Sequence, residues 1–188
     1  MTKSDAEKWN QRYQSAGHNL SKPRPFLAEQ IGRLPKNGLG LDVAMGLGHN
    51  ADLLSRHGLT MIGVDISERA LYKVRYAYPA VQPVLCDLPE INFAPVSFDV
   101  ILNFWFLERD LFPAYHKWLK PGGFLFFETM RQNQEEQTSQ INPGYFLKPG
   151  ELLQVFGDWN ILIYDENVEA RVRGEDKLAV QLLVQKPF

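Results

Sequence analysis

A single cysteine, Cys86, is all the chain contains, so no disulfide can close within it. A reducing compartment, the cytoplasm, is the expected home. No uncharged apolar run approaches the ~18 residues that a membrane-spanning helix needs. The opening "MTKSDAEKWNQRYQ" is too polar for a signal peptide. A basic surplus is also missing. Lys and Arg number 20 against 22 Asp and Glu, a net charge of -2, which speaks against an obligate nucleic-acid binder. The four histidines, His18, His49, His57 and His116, show no metal-ligand spacing to one another or to Cys86, so no metal site is expected. Internal repeats and domain linkers are absent as well. What remains is 188 residues of 45% hydrophobic composition. That suits one domain over 1–188 with a full core, and leaves no room for a second domain of ordinary size.

The pattern of what is there divides in three. "SDAEKWNQRYQSAG" predicts a first helix, with Ser4 and Glu7 spaced as a capping box and Gly17 as a stop. Trp9 and Tyr13, four apart, share a face of it. "RPFLAEQIGRLPKNG" predicts a second helix, opened by Pro25 and with Leu27, Ile31 and Leu34 on one side. From Leu39 onward, short apolar runs alternate with helical segments. The strands are expected at 39–44, 60–64, 81–85, 98–102 and 124–127, and the helices near 50–56, 68–76 and 111–119. That alternation specifies a parallel sheet covered on both faces. After it, "RQNQEEQTSQINPG" has little to bury and reads as a loop or lid. "GELLQVFG" predicts a short helix, and "WNILIYDENVEA" and "KLAVQLLVQ" an antiparallel strand pair.

Chemistry gathers at the strand ends. "GLGHNA", Gly46 to Ala51, fits the loose dinucleotide fingerprint G-x-G-x-x-A after a first strand. Asp65 closes the second strand 19 residues after Gly46, where an acid can accept from ribose hydroxyls, and Asp87 closes the third. Asp42 closes the first strand four residues before Gly46. A carboxylate at that place would repel a pyrophosphate on the turn and attract a cation. S-adenosylmethionine has an adenosine, a sulfonium and an ammonium, and no phosphate, so the acid-plus-glycine turn suits it better than NAD.

With these residues in view, the sequence resembles the class I S-adenosylmethionine-dependent methyltransferases. "LDVAMGLGHNA" resembles the first motif of that family, with Ala44 where glycine is more usual, "GVDIS" the second and "LCDL" the third. "FDVILNFWFLERDLFPAYHKWLKPGGFLFFET" resembles the segment from the fourth strand to the fifth. "WNQRY" and "YFLKPGELLQVFGDWNILIYDE" are similar to the small tellurite-resistance branch. The resemblance implies a Rossmann-like, seven-stranded, mostly parallel sheet with the last strand antiparallel, helices on both faces and an N-terminal helical cap over 1–36. It also implies site roles. Asp42, Ala44, Gly46 and Gly48 would flank the methionine part. Asp65 would hold the ribose, with Ile66 against the adenine, Asp87 and Leu88 would hold the adenine edge and face, and Ser67 and Cys86 would also touch the cofactor. Asn103 and Phe104 would lie beneath the sulfonium. Trp9 and Tyr13 would cover the cofactor, and Arg24 would meet a carboxylate or an anionic substrate.

Duller roles compete. Aspartates at strand ends are common turn and cap residues, although three in phase with a glycine turn weigh against that. Trp9 and Tyr13 at helical spacing also suit core packing, and Cys86 suits a small buried apolar residue. No convincing general base emerges. Asn103, Glu128 and Tyr145 are polar neighbours for an acceptor, and Arg24 or Arg131 could steer an anionic one. The expected activity is methyl transfer to a small molecule, an oxyanion, a thiol or similar, with S-adenosylhomocysteine as product. The alternatives are an NAD(P)-dependent oxidoreductase, which lacks a Tyr-x-x-x-Lys pair here, and a non-catalytic cofactor binder.

Overall fold

The computed structural model describes residues 3–14, 22–132, 142–172 and 175–188. Its N-terminal part is helical: α1, Lys3–Gln14, and α2, Pro25–Gln30, the latter running into a 3₁₀ turn at Ile31–Arg33. Pro25 stands in the first turn of α2, where its missing N–H costs nothing. Leu27 and Leu34 are buried as their spacing predicted. α1 starts one residue before the Ser4 expected to cap it, and Gly17, its expected stop, lies outside the described residues.

The alternating middle follows: β1 Leu39–Val43, α3 His49–His57, β2 Thr60–Asp65, α4 Glu68–Ala77, β3 Val81–Leu85, β4 Phe98–Phe104, α5 Phe112–Trp118 and β5 Leu119–Met130. Then come α6 Glu151–Phe156, β6 Asn160–Val172 and β7 Glu175–Gln185. The sheet order is β3-β2-β1-β4-β5-β7-β6. β7 runs antiparallel to both neighbours and the other contacts are parallel, as expected. β5 begins earlier than its apolar run because Leu119 pairs with Phe98 across an irregularity in register. Helical geometry likewise starts before α5, with a 3₁₀ turn at Arg109–Leu111.

Two apolar cores sandwich the sheet, and the strand period of two assigns residues to them. Leu41, Val43, Ile101, Leu125 and Phe127 face α5 and α6. Met61, Val100, Leu102, Phe104 and Phe126 face α2, α3 and α4. By the same alternation Asp42, Asp65 and Glu128 turn toward the α2–α4 side, and Asn103 toward α5. The strand order reverses between β1 and β4, and ligands of open α/β sheets bind at such a switch point. Both strands leave it through a non-glycine residue in the left-handed region, Ala44 at φ 53° and Trp105 at φ 57°. Each costs about 1–2 kcal/mol of backbone strain, held in place by its surroundings.

Candidate functional site

The turn after β1 places its backbone with two positive-φ glycines, Gly46 at φ 59° and Gly48 at φ 76°, the latter opening α3. Asp42 lies under this turn, 2% exposed. It accepts a hydrogen bond from the Ala51 backbone at the start of α3. Its Oδ2 is buried without a hydrogen-bond partner among the described residues. Burial, and then the charge of Asp65, push its pKa up to about 8, against the opposing Ala51 bond. A carboxylate so placed calls for a cationic donor.

Asp65 stands beside it, buried and with its own pKa raised by burial. Its Oδ2 accepts from Gly46 N at 2.7 Å and its Oδ1 from Ser67 N at 2.8 Å. The ribose candidate thus also fastens the β1 turn to the β2 turn. The Ile66 N–H also bonds this carboxylate, which leaves one of its four lone-pair sites for a hydroxyl donor. Ser67 caps α4 by accepting from Ala70 N at 3.2 Å, and its hydroxyl donates to Asn10 Oδ1 at 2.7 Å. Asn10 also receives Arg69 N, at 3.2 Å.

Asn10 therefore docks α1 onto the turn between β2 and α4, a role no local pattern announced. Lys73 Nζ reinforces it by donating to the Tyr13 carbonyl at 2.6 Å. Trp9 and Tyr13 stack with centroids 5.9 Å apart. Both are half-buried on the docked face and outside the two cores. The Tyr13 hydroxyl covers Gly46, and would come within 2.6 Å of a Cβ placed there. Burial first, then the charges of Asp65 and Asp42, raise the Tyr13 pKa, so the phenol stays protonated.

Toward β3, Ile66, Cys86 and Asp87 are half-buried along the strand ends. Cys86 Sγ lies 3.3 Å from the Asp87 carbonyl, and burial followed by the charges of Glu90 and Asp87 raise its pKa. Leu88 is wedged into the α5-side core at 1% exposure.

The structure separates the other candidates. The Asn103 amide donates to the Phe106 carbonyl at 2.8 Å and accepts from the Tyr115 hydroxyl at 2.8 Å. It braces α5, on the face opposite Asp42. Phe104 is packed in the α2–α4 core. Tyr145 is exposed on the 3₁₀ turn Pro143–Tyr145. All three nitrogens of Arg131 are engaged, with the Glu166 carbonyl, the Gln132 carbonyl and Asn167 Oδ1, so it clamps β6 in place of steering a ligand. Of the polar stretch expected to be a loop or lid, residues 133–141 lie outside the described residues.

Arg24 and Glu128, by contrast, meet. Glu128, buried to 1% exposure on β5, pairs with Arg24 Nη2 through Oε1 and with Gln181 Nε2 through Oε2, the latter at 3.0 Å. Burial raises its pKa although the Arg24 charge and the Gln181 bond oppose that. The Arg24 guanidinium lies 4.9 Å above the Trp105 ring, and its backbone N–H donates to Asn50 Oδ1 in α3 at 2.9 Å.

Among the described residues, no three His, Cys, Asp or Glu side chains are grouped to hold a metal ion, and no helix is long and apolar enough to cross a membrane. The residues around Asp42 fit S-adenosylmethionine. In its ionised form the Asp42 carboxylate, whose Oδ2 has no donor among the described residues, suits an ammonium or its water and would oppose a pyrophosphate.

Known proteins share the motif-bearing region and the fold. Residues 41–127 match the family model described as a methyltransferase domain. A probable S-adenosylmethionine-dependent methyltransferase of Mycobacterium tuberculosis is 35% identical over 37% of this chain and 25% of its own. A ubiquinone biosynthesis O-methyltransferase of Thiobacillus denitrificans is 31% identical over 57% of this chain and 51% of its own. The chain thus spans a quarter to about half of the length of these relatives. Among solved structures, TehB from Haemophilus influenzae superposes with a TM-score of 0.76 at 16% identity, over 96% of this chain and 66% of that one. Residues 41–127, which carry the motifs, thus match a methyltransferase domain, and the fold around them is the one that TehB adopts.

Proposed function

We propose that the protein transfers a methyl group from S-adenosylmethionine to a small-molecule acceptor, and that it stands near the tellurite-resistance branch of small methyltransferases. The observation that carries this reading is Asp42, whose Oδ2 is buried beneath a glycine turn without a donor among the described residues. When bound, the cofactor supplies a methyl carbon on a sulfonium, to which an acceptor lone pair bonds as the carbon–sulfur pair returns to sulfur.

The work left to the chain is holding and shielding. Asp42 would take the ammonium end, and Asp65, held by Gly46 and Ser67, would take the ribose hydroxyls. Asp87 and Ile66 would flank the adenine. α1 would shut out water, with Tyr13 across Gly46 and Trp9 stacked behind it. Alignment of this kind can supply roughly 7–11 kcal/mol without proton transfer. An anionic or thiolate acceptor needs no general base, and a neutral acceptor would give its proton to solvent.

The reading is tested by titrating the protein with S-adenosylmethionine and then assaying transfer to a panel of thiols, phenols and inorganic oxyanions. Binding with turnover supports it. Binding without turnover across the panel would point to a cofactor-binding protein instead.

A further inference from the structure

The two sides of the switch point are furnished differently. The β1 and β2 turns carry the carboxylates Asp42 and Asp65. Over the β4 and β5 ends lies the guanidinium of Arg24, held by Trp105 and Glu128, with a third bond on the Arg24 backbone. Phe104 pairs with Glu128 across the two strands, and the Trp105 N–H donates to the Glu128 carbonyl at 2.7 Å, so Trp105 and Glu128 are fixed together. The left-handed backbone of Trp105 sets its ring beneath Arg24, and Glu128 fixes Nη2. The bond from the Arg24 backbone to Asn50 ties that group to the helix that follows the cofactor turn.

An ion pair that merely anchored the N-terminal segment would use the guanidinium fully or leave its other donors in water. Here Arg24 Nε is buried and has no partner among the described residues, while the side chain as a whole is 29% exposed. A buried N–H donor without an acceptor is costly. Guanidinium is the planar fork that matches a carboxylate with two parallel bonds. Lysine in its place would neutralise Glu128 without offering that fork.

We propose that Arg24, positioned by Glu128 and Trp105, is the acceptor-recognition residue, and that it selects acceptors carrying a carboxylate apart from the atom that is methylated. The inference rests on the methyl-transfer reading above. Glu128, already spent on Arg24 and Gln181, acts as a positioning residue and not as a base.

The test uses protein saturated with S-adenosylhomocysteine. It is titrated calorimetrically with matched probes that differ only in charge, benzoate against benzamide and 3-mercaptopropionate against 3-mercaptopropanamide. The acid of each pair is expected to bind at least about tenfold more tightly than the amide. Arg24→Gln should bring that ratio to about one while the affinity for S-adenosylhomocysteine changes by no more than about threefold. Arg24→Lys should keep part of the preference. Glu128→Gln, which retains an oxygen for Nη2, should keep it or raise it. Should Arg24→Gln fail to fold, Arg24→Lys and Glu128→Gln still decide the matter. A ratio near one in the wild type, or a ratio that Arg24→Gln or Arg24→Lys leaves untouched, overturns the inference alone. Loss of the preference in Glu128→Gln while Arg24→Lys is fully retained overturns it too. Failure of the wild type to bind S-adenosylhomocysteine overturns the methyl-transfer reading as well.

Discussion

Asp42 concentrates the energetics of the site into one carboxyl group. Its folded pKa, about 8, stands above the ~3.9 of an unfolded aspartate. The stability it contributes is therefore fully present below the unfolded value and is lost as pH rises through about 8. Asp42→Asn should flatten that fall, which urea unfolding of the free protein between pH 5 and 9 would show. A cation beside the carboxylate lowers its pKa, so binding S-adenosylmethionine near pH 7 should release about one proton. Calorimetry in buffers of different ionisation enthalpy reads this number directly, and it should fall to zero in Asp42→Asn, together with an affinity loss of about tenfold, ~1.4 kcal/mol. A second residue gives an independent check. Ala44 holds φ 53° without being glycine. Ala44→Gly removes left-handed strain at the cost of backbone entropy. The expected result is a protein more stable by roughly 0.5–1 kcal/mol, measured as a shift in the urea midpoint at constant slope.

Helix α1 is the element that the proposed site depends on and the two cores do not hold. No side chain of α1 is fully buried among those described, and bonds from Asn10 to Ser67 and Arg69 and from Lys73 to Tyr13 help to hold it. Asn10→Ala should ease the opening of α1 by roughly 1 kcal/mol, about fivefold in its equilibrium. Hydrogen exchange should rise over 3–14 and stay unchanged in the sheet. Arg109 ties Glu151 of α6 to the carbonyls of Gly144 and Phe146. Burial works against the Glu151 charge, but the Arg109 and Lys148 contacts outweigh it and lower the pKa. Arg109→Met should destabilise the protein by about 1 kcal/mol above pH 5, since the pair is partly exposed, and by less in acid as Glu151 is protonated.

These elements also mark how far the sequence could be read. Periodicity located every strand of the parallel sheet, and glycine spacing located the turn between β1 and α3, because both are local signals. The phase of a strand at its last residue is harder to anchor. Asn103 and Glu128 both looked like polar groups at strand ends, yet one braces Tyr115 and the other pairs with Arg24, 104 residues away. Pairings that distant leave no pattern along the chain. Asn10 escaped notice for the same reason, since its partner Ser67 lies 57 residues on.

At the scale of the whole molecule, strand order makes the function possible. At the reversal between β1 and β4, β1 and β2 bring carboxylates, Trp105 after β4 brings an aromatic ring, and the start of α2 brings the Arg24 guanidinium, which Glu128 of β5 holds. A cationic cofactor and an anionic acceptor would then lie on opposite sides of one seam, with α1 closing over the first. The affinity of the wild type for S-adenosylmethionine and for NAD, compared by calorimetry at pH 7, tests that arrangement most directly. Binding of S-adenosylmethionine, with NAD weaker by at least about a hundredfold, ~2.7 kcal/mol, is the expected result. NAD held tightly while S-adenosylmethionine is ignored would contradict it.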